Sequence, residues 1–289
     1  MLSPTPFAFK AMMELSALPK LSGFTVLAIN GVDAAAFLQA QTMNDVLALA
    51  PGQWQWNGWL NPKGRVIALF ALLRSAENEF LAVLPDFPAS ELLPRLQRFI
   101  FRAKVTLSVA EDWACAADFD GHSFDEIGWT LDFSGEGGSR SLRLLGANSE
   151  LLSLSDPAMD ARWFEQDIAH GLPRLAGDQI EAWTPQMLSL DRLKAYSLRK
   201  GCYPGQEIVA RTHYLGQAKR QLVRLRGTWL HAGLEVRDDA GHSLGTLICT
   251  NCHGNDGLAV MAIAAGTAHV GEASPVTALP LLSGLQRPL

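Results

Sequence analysis

The run Arg199-Lys-Gly-Cys-Tyr-Pro-Gly-Gln-Glu-Ile-Val-Ala-Arg211 gathers the residue types of this chain best suited to chemistry. Cys202 is read as lying just past the end of a helix, flanked by Arg199 and Lys200, and before Gly205, Gln206 and Glu207, which read as the opening of another helix. The thiolate, not the thiol, is the nucleophile and metal ligand, and cationic neighbours and a helix N-terminus both lower a reference pKa of about 8.5. One reading of Cys202 is therefore a reactive or metal-handling sulfur. The other is a small buried residue, with Gly201 as a helix stop and Gly205 as a turn.

The remaining cysteines, Cys115, Cys249 and Cys252, are too sparse for a disulfide scaffold, and a reducing compartment keeps them as thiols. Cys249-Thr-Asn-Cys252-His253 has the spacing of c-type haem attachment, which requires export. The opening MLSPTPFAFKAMMELSALPK shows no basic start, long apolar stretch and small-residue cleavage site. A zinc site needs four ligands, and here His242 is an unsupported fourth. A structural role for the pair, and no metal, is the expectation. Trp54, Trp56 and Trp59 at strand spacing could present a stacking surface but read as core. Asp118 with Asp120, and Asp238 with Asp239, read as solvated turns. The glycines of 134–139 mark a hairpin, because no Lys-Ser/Thr pair follows as a phosphate loop requires.

The elements that position these residues follow from punctuation and periodicity. FTVLAI before Asn30-Gly31 reads as a strand, and Asp33 as the cap of a helix reaching roughly Met43. Gln53 to Trp59, the turn Asn61-Pro62-Lys63-Gly64 and Arg65 to Leu73 read as a hairpin with a basic tip. Phe80 to Leu84 reads as a strand, Ala89 to Phe101 as a helix with Leu92, Leu96 and Phe99 on one face, and Lys104 to Val109 as a strand. Thr184-Pro185 looks like a helix start and Gly201 its stop, with a short helix between Gly205 and Gly216. After Lys219, short apolar strands and Gly-rich turns suggest a small barrel. The expected class is α+β, with residues 1–215 forming one region of two lobes and 216–289 the barrel.

With 289 residues, 48% hydrophobic and 18% charged, the chain has the apolar content to fold without staples, and two domains are the prior. No apolar run approaches the roughly 20 residues of a membrane span, so no membrane contact is expected and a cytoplasmic location is the default. The net charge of −5 argues against broad nucleic-acid binding. Between Arg192 and Arg226, however, nine basic residues face one acid, Glu207, so this segment can attract an anion.

Lys-Gly-Cys-Tyr-x-Gly-Gln-Glu at 200–207 resembles the signature of the YgfZ family, folate-binding relatives of the glycine-cleavage aminomethyltransferase. Residues 31–49 (GVDAAAFLQAQTMNDVLAL) look like the opening of both groups, Leu60 to Leu69 like the hairpin that follows, and 169–178 with Pro185 to Asp191 like the approach to the signature. The resemblance implies three lobes arranged as a cloverleaf around a folate channel, ending in a small antiparallel β-barrel. It implies tetrahydrofolate or a derivative as cofactor, held by Lys200, Gly201, Cys202, Tyr203, Gly205, Gln206, Glu207 and Arg211, with Cys202 as functional thiol and Lys200 as its charge partner. The implied role is an accessory factor in iron-sulfur cluster assembly or repair, supporting radical enzymes such as those that thiolate tRNA, with iron-sulfur clients or the assembly machinery as partners. Direct tRNA contact is the weaker expectation, since an anionic glutamyl tail explains the basic segment more economically. In the aminomethyltransferases the hairpin at Gly64-Arg65-Val66-Ile67 continues into an acidic pair, whereas Ala68 and Leu69 stand here. A side chain without charge cannot position a substrate amine, which disfavours the alternative of a folate-dependent one-carbon transferase.

Overall fold

The computed structural model describes residues 17–122, 128–216, 219–262, 267–271 and 274–287, so most of the opening segment read for a leader lies outside the described residues. After a two-residue strand, β1 (Leu18–Pro19), the first unit runs β2 (Phe24–Asn30), α1 (Ala34–Gln41), β3 (Trp54–Leu60), β4 (Val66–Ala76), β5 (Glu79–Pro85), α2 (Ala89–Gln97) and β6 (Thr106–Val109). Its five strands form an antiparallel sheet in the order β3-β4-β5-β2-β6. Period-two alternation divides β4 between two cores. Phe70 and Leu72 pack under the helices with Phe37, Leu38, Leu92 and Leu96. Leu69, Ala71 and Leu73 join the central core with Trp56, Trp163 and Leu188.

The second unit contains β7 (Trp113–Asp118), β8 (Gly128–Asp132) and β9 (Ser141–Gly146) in the order β7-β9-β8, then β10 (Leu152–Ser153), which pairs in parallel with β1, and α3 (Pro157–His170). Helix α3 is punctuated at both ends: the Asp156 carboxylate accepts from Ala158 N at 2.9 Å, and Gly171 closes it in the left-handed region. The last helix, α4 (Gln206–Leu215), precedes a closed antiparallel barrel of β11 (Gln221–Arg226), β12 (Glu235–Arg237), β13 (Ser243–Thr250), β14 (Asp256–Met261), β15 (Ala268–Val270) and β16 (Ser274–Leu279). The fold is thus α+β with a C-terminal six-stranded barrel. From the barrel the chain returns to the other units: Leu282 N donates to Ala169 O, and the Trp56 indole donates to Leu285 O at 2.8 Å.

Several local expectations are corrected. Asp33 does not cap α1 through its side chain; its carboxylate accepts instead from the backbone N of Lys104. Helix α2 ends at Gln97 rather than Phe101, because the chain tightens into i−3 hydrogen bonds at Phe99 and Ile100 on its way to β6. Residues 184–195 form linked turns rather than a helix. Ser189 and Lys194 adopt positive φ, and each is held by a distant partner: the Ser189 hydroxyl accepts from Leu222 N, and Lys194 O from the Asn44 amide. Asp118 is buried, accepting from the backbone of Asp120 and Gly121 and from the His122 ring, and is no solvated turn residue. Trp56 and Trp59 are core, and the half-buried Trp54 stacks on Phe133.

Candidate functional site

The signature segment is anchored by Lys200. Its chain enters the interior, where Nζ donates to Thr42 O at 2.5 Å and Asn44 O at 2.8 Å and lies 5.0 Å from the centre of the Tyr203 ring. Burial pulls the ammonium down to about 8, opposed by the nearby Asp45 carboxylate. Lys200 therefore turns inward instead of joining the anion-attracting run at the surface; it ties the signature to the turn after α1. No helix ends ahead of Cys202 either, since the linked turns give way to irregular chain and a bend over 195–201. The thiol is exposed, which removes the reading of a small buried residue, and among the described residues it has no hydrogen-bond partner.

Tyr203 is buried, and its hydroxyl has no hydrogen-bond partner among the described residues. Gly205 caps α4 at φ +79. A Cβ there would lie 2.6 Å from Asn61 O and 2.7 Å from Gly64 Cα, so the tip of the β3–β4 hairpin rests on the helix start. The Gln206 amide reaches back to Lys200 O at 3.4 Å, while Gly201, Glu207 and Arg211 are exposed. The structure thus gathers the eight signature positions at one junction of hairpin, α1 turn and α4, with Lys200 and Tyr203 inside and Cys202 outside.

The basic run does not form one patch. Lys200 is interior, Arg192 donates to the carbonyls of His170 and Leu282, and Arg224 and Arg226 both pair with Asp256. Between this run and the barrel lies a cavity of about 830 Å³ bordered by Asp191, Arg192, Tyr196, His213 and Leu279.

A second cavity, of about 420 Å³, escaped the sequence reading. It lies where the three units meet: Leu21 and Phe24 from the start of the first sheet, Asp86 after β5, Trp163 and Phe164 on α3, Arg174, and Cys252 from the β13–β14 turn. Arg174 sits with its guanidinium 5.0 Å from the Phe24 ring centre and 5.1 Å from that of Phe164. It donates to Asp167 at 2.9 Å and to Asp86 at 2.7 Å, and Asp167 also pairs with Arg140 at 2.8 Å. The buried Arg140, Asp167 and Arg174 and the half-buried Asp86 thus form a network in which two cations and two carboxylates compensate each other. Burial pulls Arg174 down, and the charges of Asp167 and Asp86 more than offset it, so its pKa is raised. Asp86 holds this place at φ +61, a strained backbone for a non-glycine residue. The signal present in sequence was Arg174 itself, a lone cation within the apolar GLPRLAG. No residue of 200–211 lines this cavity.

The C-x-x-C-H pair is divided: Cys249 is buried, its thiol pushed up to about 11 chiefly by burial, while Cys252 is exposed. Among the described residues no group of three or more His, Cys, Asp or Glu side chains is placed to hold a metal ion. No helix of the described residues is long and apolar enough to cross a membrane.

Known proteins align with this arrangement. The GCVT N-terminal domain matches residues 8–117. An uncharacterized protein of Haemophilus influenzae is 33% identical over 204 residues, 70% of either chain. The tRNA-modifying protein YgfZ of Vibrio vulnificus is 29% identical over 256 residues, 82% of this chain and 78% of that one. The chain belongs to the YgfZ family. A more distant relative, the mitochondrial iron-sulfur cluster assembly factor IBA57 homolog of Mycosarcoma maydis, is 27% identical over 219 residues, 69% of this chain and 54% of that one. The fold is that of the glycine cleavage system aminomethyltransferase T from Bartonella henselae, with a TM-score of 0.71 and 16% identity over 98% of this chain and 91% of that one. Family and fold therefore agree with the resemblance carried by residues 200–207. At the hairpin, Ala68 and Leu69 are both buried, one in each core of the first sheet.

Proposed function

We propose that the protein is a tetrahydrofolate-binding accessory factor for iron-sulfur cluster assembly or repair, serving radical enzymes such as those that thiolate tRNA. The observation that carries the folate half is the aromatic cavity at the junction of the three units. Its volume of about 420 Å³ falls within the range of small-ligand sites, and its apolar walls with a few fixed polar groups suit a flat heterocycle with hydrogen-bonding edges. Phe24, Trp163 and Phe164 would hold the pterin, and the Arg174–Asp86 pair would meet its polar edge. When bound, tetrahydrofolate supplies reduced nitrogens that carry one-carbon units.

The iron-sulfur half rests on the family relationship and on the exposed Cys202, which the Lys200 anchor and the Gly205 contact hold at a fixed point on the surface. A thiol presented on a rigid junction can meet a cluster or a client cysteine, with Gln206, Glu207 and Arg211 beside it on the same segment. Cytoplasmic location belongs to the same reading. Aminomethyl transfer is disfavoured, since Ala68 and Leu69 offer no charge. Calorimetric titration with tetrahydrofolate tests the folate half: the parent protein releases or absorbs heat with one-site saturation, and Phe164→Ala binds at least tenfold more weakly. Absence of binding at saturating ligand sinks the proposal.

A further inference from the structure

The segment that leaves α2 carries a surface that the folate and thiol sites do not use. From Leu92 to Ala110 the chain holds Arg95, Arg98, Arg102 and Lys104 and no acidic residue. Arg95 pairs with Glu181 at 3.6 Å. Arg98, Arg102 and Lys104 are exposed, and among the described residues their side chains have no ion pair.

Two aromatic rings lie among these cations. Phe101 is 87% exposed, with the Arg102 guanidinium 5.3 Å from its ring centre, and Phe99 is 48% exposed with one side resting on Trp59. A phenylalanine this exposed forgoes the burial that favours it elsewhere. The segment is also fixed in place. The Asp33 carboxylate accepts from Lys104 N at 2.6 Å, and Gly31, at φ +138, lies so close that a Cβ would come within 2.1 Å of Lys104 O.

We propose that this ridge binds single-stranded RNA, with phosphates against Arg98, Arg102 and Lys104 and a base stacked on Phe101. Cations alone would serve an acidic protein equally well. The free ring among them selects for nucleotides, because every base offers a face to stack on and stacking tolerates any sequence. A duplex keeps its bases in the helix and offers the ring nothing.

The test is fluorescence anisotropy of the full chain with a labelled, unstructured oligoadenylate as probe. Three phosphate contacts predict that log K falls against log salt with a slope of about −2, at about −0.7 per contact. Arg98→Ala with Lys104→Ala should cut that slope by more than half. Phe101→Leu keeps an apolar side chain but removes the ring and should weaken binding about tenfold, whereas Phe101→Tyr should bind like the parent. All three substituted positions are exposed, so folding is not at issue, and the salt slope of the parent protein is a test by itself. The proposal is overturned by no binding, by an unchanged slope in the double variant, by full binding in Phe101→Leu, or by equal affinity for duplex RNA. Displacement of the probe by polyglutamate as readily as by unlabelled RNA would reassign the ridge to an acidic protein.

Discussion

Burial divides the four thiols into two classes. Desolvation pushes Cys115 up to about 12 and Cys249 to about 11, so both are protonated at neutral pH as well as shielded. Brief treatment of the native protein with iodoacetamide should therefore label Cys202 and Cys252 and spare the other two until denaturant is added, as peptide mass spectrometry will show; native labelling of Cys249 at the rate of Cys202 contradicts this. Because Cys202 is exposed, Cys202→Ala should change stability by no more than about 0.5 kcal/mol, yet lose the rescue of iron-sulfur enzymes in cells lacking the protein. Lys200 behaves differently. Its folded-state pKa of about 8 lies below the 10.5 of the free side chain. Between those values the unfolded chain holds a proton that the folded one has released, so stability rises with pH; below about 8 both states are protonated and the dependence vanishes. Relative to Lys200→Met, the parent should gain up to about 3 kcal/mol between pH 8 and 10.5 in urea melts, and a loss over that window contradicts the buried ammonium. The signature motif was legible because its residues are contiguous. That Lys200 turns inward was not, since the carbonyls it meets lie more than 150 positions earlier.

At the scale of elements, the strands and α4 could be read because their signals are local: alternation in β3, an unbroken apolar run in β4, and glycine at both ends of α4. Residues 184–195 defeated the same rules. Thr184-Pro185 has the chemistry of a helix start, but the left-handed turns at Ser189 and Lys194 depend on Leu222 and Asn44, which local sequence does not contain. Gly205 shows where local and distant demands coincide, since it both caps α4 and admits the hairpin tip. Gly205→Ala should destabilise the protein by at least about 2 kcal/mol through backbone strain and the clash with Asn61 and Gly64. Gly216→Ala is the matched control, because φ there is −154 and the nearest atom to a new Cβ lies at 4.0 Å. Equal melting curves for the two variants would remove the close approach as an explanation.

At the scale of the molecule, the cavity exists only because three separate units converge, with walls drawn from Leu21 to Cys252. No window of sequence holds enough of it to form a pattern, whereas the α+β class and the barrel follow from patterns repeated within each unit. Convergence also has a thermodynamic consequence: a ligand that touches every unit binds the folded chain and not the unfolded one. Tetrahydrofolate should therefore raise the melting temperature, the stabilisation reaching about 2.7 kcal/mol at a hundredfold excess over Kd. The two proposed sites predict opposite responses of this shift to substitution. Phe164→Ala trims one wall of the cavity and should abolish most of the shift while leaving the exposed Cys202 fully reactive to alkylation. Cys202→Ala leaves the cavity intact and should keep the whole shift while losing rescue in cells. Loss of the thermal shift in Cys202→Ala, with the shift retained in Phe164→Ala, would move folate out of the aromatic cavity and onto the signature segment.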